Sequence, residues 1–126
     1  MQYSPDSVQA IEERRKTRTT RPQVTDGHGG WLPCRYKVGR TYAVCPGRQK
    51  KAVARILVTK VRDAGSAWQA PLLEGLGKED QYGIAEGFED VEGFWRRWRE
   101  LYATNRTKCH GPVHVIDFKL VKELVE

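Results

Sequence analysis

The sequence contains no apolar run long enough to cross a bilayer or to act as a secretory signal. We therefore expect a cytoplasmic protein with no membrane partner. Acidic residues are also in the minority, because 16 Asp and Glu face 22 Lys and Arg. The resulting net charge of +6 favours an anionic partner, and the candidates are RNA, single-stranded nucleic acid, or a nucleoside or nucleotide.

Cysteine is scarce, and its spacing does not fit the usual disulfide or metal patterns. The three cysteines are odd in number and far apart in the chain, so we expect reduced thiols. No Cys-x-x-Cys pair is present, and a histidine stands next to a cysteine only at Cys109-His110. We therefore predict that the protein holds no metal and needs no cofactor.

The length of 126 residues is typical of one domain, which we expect to span residues 1–126. Helix signals are present at Ser4-Pro5 and at Asp90, which precedes aromatic residues spaced by three and four. Alternating or β-branched segments predict strands at 17–21, 41–45, 52–61 and 113–121. This mixture predicts an α+β fold, a small barrel flanked by helices.

The connections between these elements differ in character. Loops are predicted at 22–33 and 105–112, and the connection between 63 and 86 is long enough to carry short helices. A basic hairpin at 46–51 contains Arg48, Lys50 and Lys51. Two features stay open: Trp31 is either a stacking residue or a loop anchor, and the arginines of the aromatic helix form either a solvated face or a second nucleic-acid surface.

The most concentrated feature of the sequence is segment 14–21, which holds five cations and three threonines. In an extended strand Thr19 and Arg21 point to one side, whereas Arg18 and Thr20 point to the other. A turn out of the preceding helix can bring Lys16 onto the side of Thr19. Such a donor-rich surface suits phosphate, carboxylate or a base edge, although a solvated basic edge strand has the same pattern.

Three pieces of the sequence together resemble the ASCH family. They are residues 15–21 near the N-terminus, Glu86-Gly87-Phe88 before the aromatic helix, and residues 113–118 in the last strand. The family motif G-x-K-x-x-T-x-R is matched at Lys16, Thr19 and Arg21, but Arg14 replaces its glycine. The resemblance implies a PUA-like β-barrel of about five to six strands, with the motif lining a cleft.

The resemblance implies two alternative functions. One is an RNA- or nucleotide-binding module, with contacts from the motif, Glu86 and the basic hairpin; these are Lys16, Arg18, Thr19, Arg21, Glu86, Arg48, Lys50 and Lys51. The other is an amidohydrolase acting on N4-acetylcytidine or a related modified nucleoside, with Lys16, Thr19 and Glu86 as the catalytic group.

The chemistry required of Lys16 distinguishes these functions. For hydrolysis, neighbouring arginines would favour a neutral amine that takes a proton, while Thr19 attacks or orients water and Glu86 protonates the departing amine. For binding, Lys16 stays protonated and contacts phosphate while Arg21 makes a bidentate contact. The basic hairpin is useful for tracking a polyanion and unnecessary for a nucleoside hydrolase, so the sequence favours binding.

Overall fold

The structure is a computed structural model that describes residues 1–48 and 50–123. In chain order its elements are α1 (Pro5–Glu12), β1 (Arg18–Pro22), β2 (Thr41–Val44), β3 (Ala54–Ala64), a 3-10 helix (Ala70–Glu74), α2 (Glu79–Ala85), α3 (Val91–Tyr102), α4 (Arg106–His110) and β4 (Val113–Glu123). The predicted α+β class is confirmed.

The strands form one curled antiparallel sheet in the order β1-β4-β3-β2. The expectation of five to six strands is wrong for the described part of the chain, where this sheet has four strands. The physical reason is the composition of the connections. Segment 23–40 is rich in glycine and forms an isolated bridge between Thr25 and Trp31 but no strand, and segment 65–112 is largely helical.

The segment before α1 lies against β2 and also contacts β1. The amide of Tyr3 donates to the carbonyl of Cys45 at 2.9 Å, and the amide of Cys45 donates to the carbonyl of Met1 at 2.9 Å. From the opposite edge of the sheet, the guanidinium of Arg21 donates to the carbonyl of Gln2 at 2.9 Å. This segment therefore links the two edge strands and helps the sheet curl into a half-barrel.

Helix α1 ends in a Schellman turn that carries the chain into β1. The Arg15 amide donates to the carbonyl of Ala10, and the Arg14 amide donates to the carbonyl of Ile11, both at 2.9 Å. Arg14 has φ = 63° and is the one described non-glycine residue with positive φ. Arginine thus adopts the left-handed conformation that glycine, its counterpart in the ASCH motif, adopts without strain.

Replacing Arg14 should reveal the strain of this turn. We expect Arg14→Gly to be more stable than Arg14→Ala by about 1 kcal/mol, because only glycine relieves the left-handed backbone while both variants lose the same side chain. Urea unfolding of both variants measures the difference. Equal midpoints would show that the turn is unstrained.

The core consists of two clusters of buried side chains. One unites α2, α3 and α4 with β4 and contains Ala67, Ala70, Tyr82, Phe94, Trp98, Cys109, Val113 and Val115. The other packs α1 against the sheet and contains Tyr3, Val8, Ile11, Val44, Ala54, Ile56 and Phe118. The predicted central strand is confirmed, since β3 lies between β2 and β4 and buries Ala54, Ile56 and Val58.

Two of the predictions for the C-terminal half have different outcomes. Asp90 caps α3 as predicted, because its side chain accepts from the Gly93 amide at 2.9 Å. The predicted loop 105–112 is wrong, since it contains the short helix α4. The Asn105 side chain caps α4 by accepting from the Lys108 amide at 3.1 Å.

No helix in the described ranges is both long and apolar enough to span a membrane.

Candidate functional site

A buried ion pair between Lys16 and Glu86 forms the centre of the candidate site. The Lys16 ammonium lies 2.8 Å from Glu86 Oε2 and also donates to the Glu86 carbonyl at 2.9 Å. The two side chains are 6% and 4% exposed. Desolvating two charges is costly, and their attraction offsets the cost only with good geometry and additional hydrogen bonds.

Gly87 allows these two residues to approach each other. It has φ = +97°, and an added Cβ would lie 3.1 Å from the Cβ of Lys16 and 3.3 Å from that of Ala10. A side chain here would be strained and crowded. The local structure therefore explains why the Glu-Gly-Phe element has a glycine at this position, since glycine allows the isolated bridge between Lys16 and Glu86.

The second oxygen of the Glu86 carboxylate binds a side chain that the sequence did not indicate. Thr20 donates its hydroxyl hydrogen to Glu86 Oε1, and the Tyr82 hydroxyl contacts the same threonine oxygen. Because the threonine hydrogen is directed to Glu86, Tyr82 is the donor to Thr20. Both carboxylate oxygens of Glu86 are thus occupied, and the carboxylate is fixed in orientation.

Burial keeps the tyrosines near this site in their neutral form. It raises the pKa of Tyr82 well above its usual value, and the negative charge of Glu86 raises it further. It also raises the pKa of Tyr3 to about 12, although the nearby Arg21 opposes this shift. Tyr82 therefore remains a hydrogen-bond donor throughout the neutral range.

Thr19 and Arg21 lie beside this pair, as the alternation of the strand predicted. The Arg21 Nε donates to Thr19 Oγ1 at 3.2 Å, and the Arg21 guanidinium stacks on the ring of Tyr3 at 5.0 Å. The hydroxyl hydrogen of Thr19 is not needed for this contact, because its oxygen is the acceptor. Thr19 and Arg21 thus present donors on the same side as Lys16.

These residues line one pocket of about 330 Å³. The pocket lies where the two core clusters meet, and its lining includes Lys16, Thr19, Thr20, Arg21 and Glu86. Its walls are aromatic and comprise Tyr3, Phe88, Phe94, Trp98 and Tyr102. Glu86 is the one carboxylate in the lining among the described residues. The volume is at the lower end of the range for small-molecule sites.

Arg18, which the sequence suggested as a ligand-binding residue, lies elsewhere. Its guanidinium pairs with Glu74 and with Asp117, which it contacts at 2.5 Å, and it stacks on the ring of Tyr82 at 4.8 Å. It lines neither this pocket nor the larger cavity beside it. The physical reason is the alternation of β1, which directs Arg18 away from Thr19 and toward the two carboxylates.

Two of the three arginines that the hydrolase hypothesis places around Lys16 are paired with other carboxylates. Arg15 pairs with Glu13 at 2.7 Å, Arg18 pairs as described above, and the near charge that contacts Lys16 is the carboxylate of Glu86. The third arginine of the hypothesis, Arg21, lies in the lining of the same pocket as Lys16.

The basic hairpin is only partly connected to the site. Lys50 lines a second, larger cavity beside the pocket, whereas the exposed Arg48 lines neither cavity. Lys51 is exposed on the same hairpin. Trp31 also lines the second cavity and is 43% exposed there. Within residues 1–48 and 50–123, no three His, Cys, Asp or Glu side chains are grouped closely enough to hold a metal ion.

Together these features define a class: a small α+β domain whose curled antiparallel sheet and flanking helices enclose a polar pocket with aromatic walls. The chain has the fold of ASCH domains. The ASCH domain of Lactobacillus crispatus superposes with a TM-score of 0.66 at 13% identity, covering 93% of this chain and 71% of that one. A point variant of the ASCH protein from Zymomonas mobilis gives 0.57 at 12% identity, covering 98% and 70%.

A third solved structure matches over nearly the full length of both chains. This Pyrococcus furiosus protein, determined by NMR in solution, gives a TM-score of 0.56 at 19% identity and covers 96% of this chain and 94% of its own. No protein-family model and no curated protein matches the sequence. At these identities the similarity identifies the fold alone, and the function must be inferred from the site.

Proposed function

We propose that this chain is a single RNA- or nucleotide-binding domain of the ASCH type, and that its pocket holds one nucleoside unit. The observation that carries the proposal is the convergence of unused hydrogen-bond donors and aromatic walls in one pocket of about 330 Å³. A pyrimidine base offers a flat ring for the walls and a carbonyl oxygen for the donors, and single-stranded RNA is typically recognised through splayed bases.

The donors can be counted from the contacts. An ammonium has three N–H groups, and Lys16 uses two of them on the carbonyl and carboxylate of Glu86. Arg21 has five N–H groups and uses its Nε and one terminal nitrogen on Thr19 and Gln2. With the hydroxyl hydrogen of Thr19, three side chains have donors left for a ligand. The ligand should therefore present several acceptors.

The walls support the same ligand. Tyr102 is half-buried at the rim, whereas Phe94 and Trp98 are each 3% exposed and belong to the core. The ring of Trp98 is fixed in orientation, because Trp98 Nε1 donates to the Cys109 carbonyl at 3.0 Å. Aromatic stacking on a base is compatible with any base and contributes about 1–3 kcal/mol.

One observation favours a second candidate, the amidohydrolase acting on N4-acetylcytidine. A buried Lys16–Glu86 pair is more than phosphate binding requires, and Thr19 lines the same pocket. Lys16 can pass a proton to Glu86 across 2.8 Å and then accept one from Thr19 or water. The nucleophile adds to the amide carbonyl and gives a tetrahedral intermediate. As this intermediate collapses, the C–N bond breaks, Glu86 protonates the leaving amine with the proton received from Lys16, and water supplies the second acetate oxygen.

The pocket proposal is tested by removing the hydroxyl of Thr19. We expect Thr19→Val to weaken the binding of cytidine or uridine 5′-monophosphate about fivefold to tenfold, the usual effect of one lost hydrogen bond. Quenching of tryptophan fluorescence measures the affinity, since Trp98 is part of the wall.

The matched control is Thr17→Val, because Thr17 belongs to the same segment but is exposed and outside the pocket. Its affinity should equal that of the wild type. Failure of the wild-type protein to bind any nucleoside monophosphate, or equal losses in the two valine variants, would count against the proposed pocket.

A further inference from the structure

A second cavity continues from the pocket along the surface. Its volume is about 1160 Å³, and it shares four lining residues with the pocket, namely Gln2, Arg21, Gly47 and Tyr102. It extends past the loop that carries Trp31, past the 46–51 hairpin and past α4. We call this cavity the groove. It begins where the nucleoside pocket ends.

The lining of the groove is positively charged. Arg21, Arg35, Lys50 and Lys108 line it, and no Asp or Glu in the described part of the chain does so. The sequence as a whole contains 16 Asp and Glu residues, so the lack of carboxylates in the groove lining does not reflect a general scarcity of acidic residues. The described residues provide no carboxylate within ion-pair distance of Arg35, Lys50 or Lys108.

Aromatic side chains lie between these cations. Trp31 is 43% exposed in the groove, and Tyr36 lies under the guanidinium of Arg35 at 5.0 Å. Tyr36 is held by an edge contact with Tyr42, at 5.0 Å between ring centroids. Cations interleaved with partly exposed rings are typical of surfaces that bind single strands, where phosphates contact the cations and bases stack on the rings.

We infer that the groove binds the strand that continues from the nucleoside in the pocket, so that a single-stranded phosphodiester chain occupies both. This inference rests on the proposed function of the pocket. Arg21 lies in both cavities and contacts the phosphate at the junction, while Lys50 and Lys108 contact phosphates farther along. Trp31 stacks on a base outside the pocket. A duplex does not fit this arrangement, because its bases are already stacked on one another.

The test compares a hexanucleotide RNA with a nucleoside monophosphate. We expect Lys50→Glu/Lys108→Glu to weaken hexanucleotide binding at least about tenfold at low salt and to reduce the salt slope by about 1.4, the value for two phosphate contacts on a single strand. Monophosphate binding should be unchanged. The control Lys78→Glu/Lys119→Glu makes the same charge change at exposed lysines outside both cavities and should behave as the wild type.

A second variant tests stacking. Trp31→Ala should weaken hexanucleotide binding about tenfold, and Trp31→Phe should restore most of it. Comparison with a DNA hexanucleotide of the same sequence measures what the ribose 2′-hydroxyl contributes to binding, and a duplex should bind more weakly than the single-stranded hexanucleotide.

The inference is overturned by any of three results: the hexanucleotide binds no tighter than the monophosphate, the duplex binds as well as the single strand, or the control double variant loses as much affinity as Lys50→Glu/Lys108→Glu. A protein that binds the monophosphate but fails these comparisons retains the pocket and loses only the groove.

Discussion

Lys16→Met should lower the free energy of unfolding at neutral pH by about 3–5 kcal/mol. Methionine keeps the length of the side chain, so the packing is largely preserved, but the carboxylate of Glu86 then remains buried without its cation. Among the described residues, the hydroxyl of Thr20 is the one side-chain donor to Glu86 that remains. The penalty is therefore that of an uncompensated buried charge.

Adding Glu86→Gln to this variant should recover much of the loss. The double variant has no buried charge at this position, and buried ion pairs are often replaceable at little net cost when both partners change together. Urea unfolding of the wild type, both single variants and the double variant closes a thermodynamic cycle. A coupling energy of several kcal/mol is expected for groups in direct contact.

The control is an exposed ion pair in the same protein. Arg97 and Glu100 lie 3.1 Å apart on α3, with side chains 42% and 56% exposed. Arg97→Met should cost no more than about 1 kcal/mol, because solvent screens both charges. If Lys16→Met lowered the free energy of unfolding as little as Arg97→Met, the idea that burial makes the Lys16–Glu86 pair important for stability would be wrong.

Local sequence signals predicted the elements that depend on local chemistry. The Ser4 side chain accepts from the Ser7 amide at 3.3 Å, so α1 begins at Pro5 as expected, and Asp90 fixes the start of α3. Helix α1 ends at Glu12, earlier than the expected residue 15, because the Schellman turn interrupts it. Helix α4 was missed, since its five residues are too few to show a hydrophobic period.

Only those residues of the candidate site that belong to the family's sequence motifs could be predicted from the sequence. Lys16, Thr19, Arg21 and Glu86 converge in the pocket, although they come from segments about seventy residues apart. Tyr82 had a usable signal, because it precedes Glu86 by four residues, roughly one helical turn. Strand alternation placed Thr20 on the side away from Thr19, yet the structure places both in the pocket lining.

The groove was beyond sequence reasoning for a different reason. Arg35 and Lys50 belong to two connections and Lys108 belongs to helix α4, and none of these residues stands in a motif. Their proximity depends on how the sheet curls and on where α4 packs. The sequence indicates the basic hairpin because its cations are close together in the chain, but of Arg48, Lys50 and Lys51 only Lys50 lines the groove.

Lys16→Arg is the substitution that separates the two candidate functions. For the amidohydrolase, we expect acetate release from N4-acetylcytidine to fall about a hundredfold to ten-thousandfold, because arginine is not deprotonated in proteins and cannot act as a base. For the binding function, neither protein releases acetate and the hexanucleotide affinity stays within a few-fold, since the positive charge beside Glu86 remains.

The measurement is acetate release by wild type, Lys16→Arg and Thr19→Val, with Lys78→Arg as an exposed control and hexanucleotide binding measured in parallel. Retained folding of Lys16→Arg, checked by its unfolding midpoint, ensures that a loss of turnover reports chemistry. Wild-type turnover that disappears in Lys16→Arg and Thr19→Val but survives in Lys78→Arg would establish the hydrolase. Absent turnover with intact binding would leave the buried Lys16–Glu86 pair as a device that fixes the donors of the nucleoside pocket.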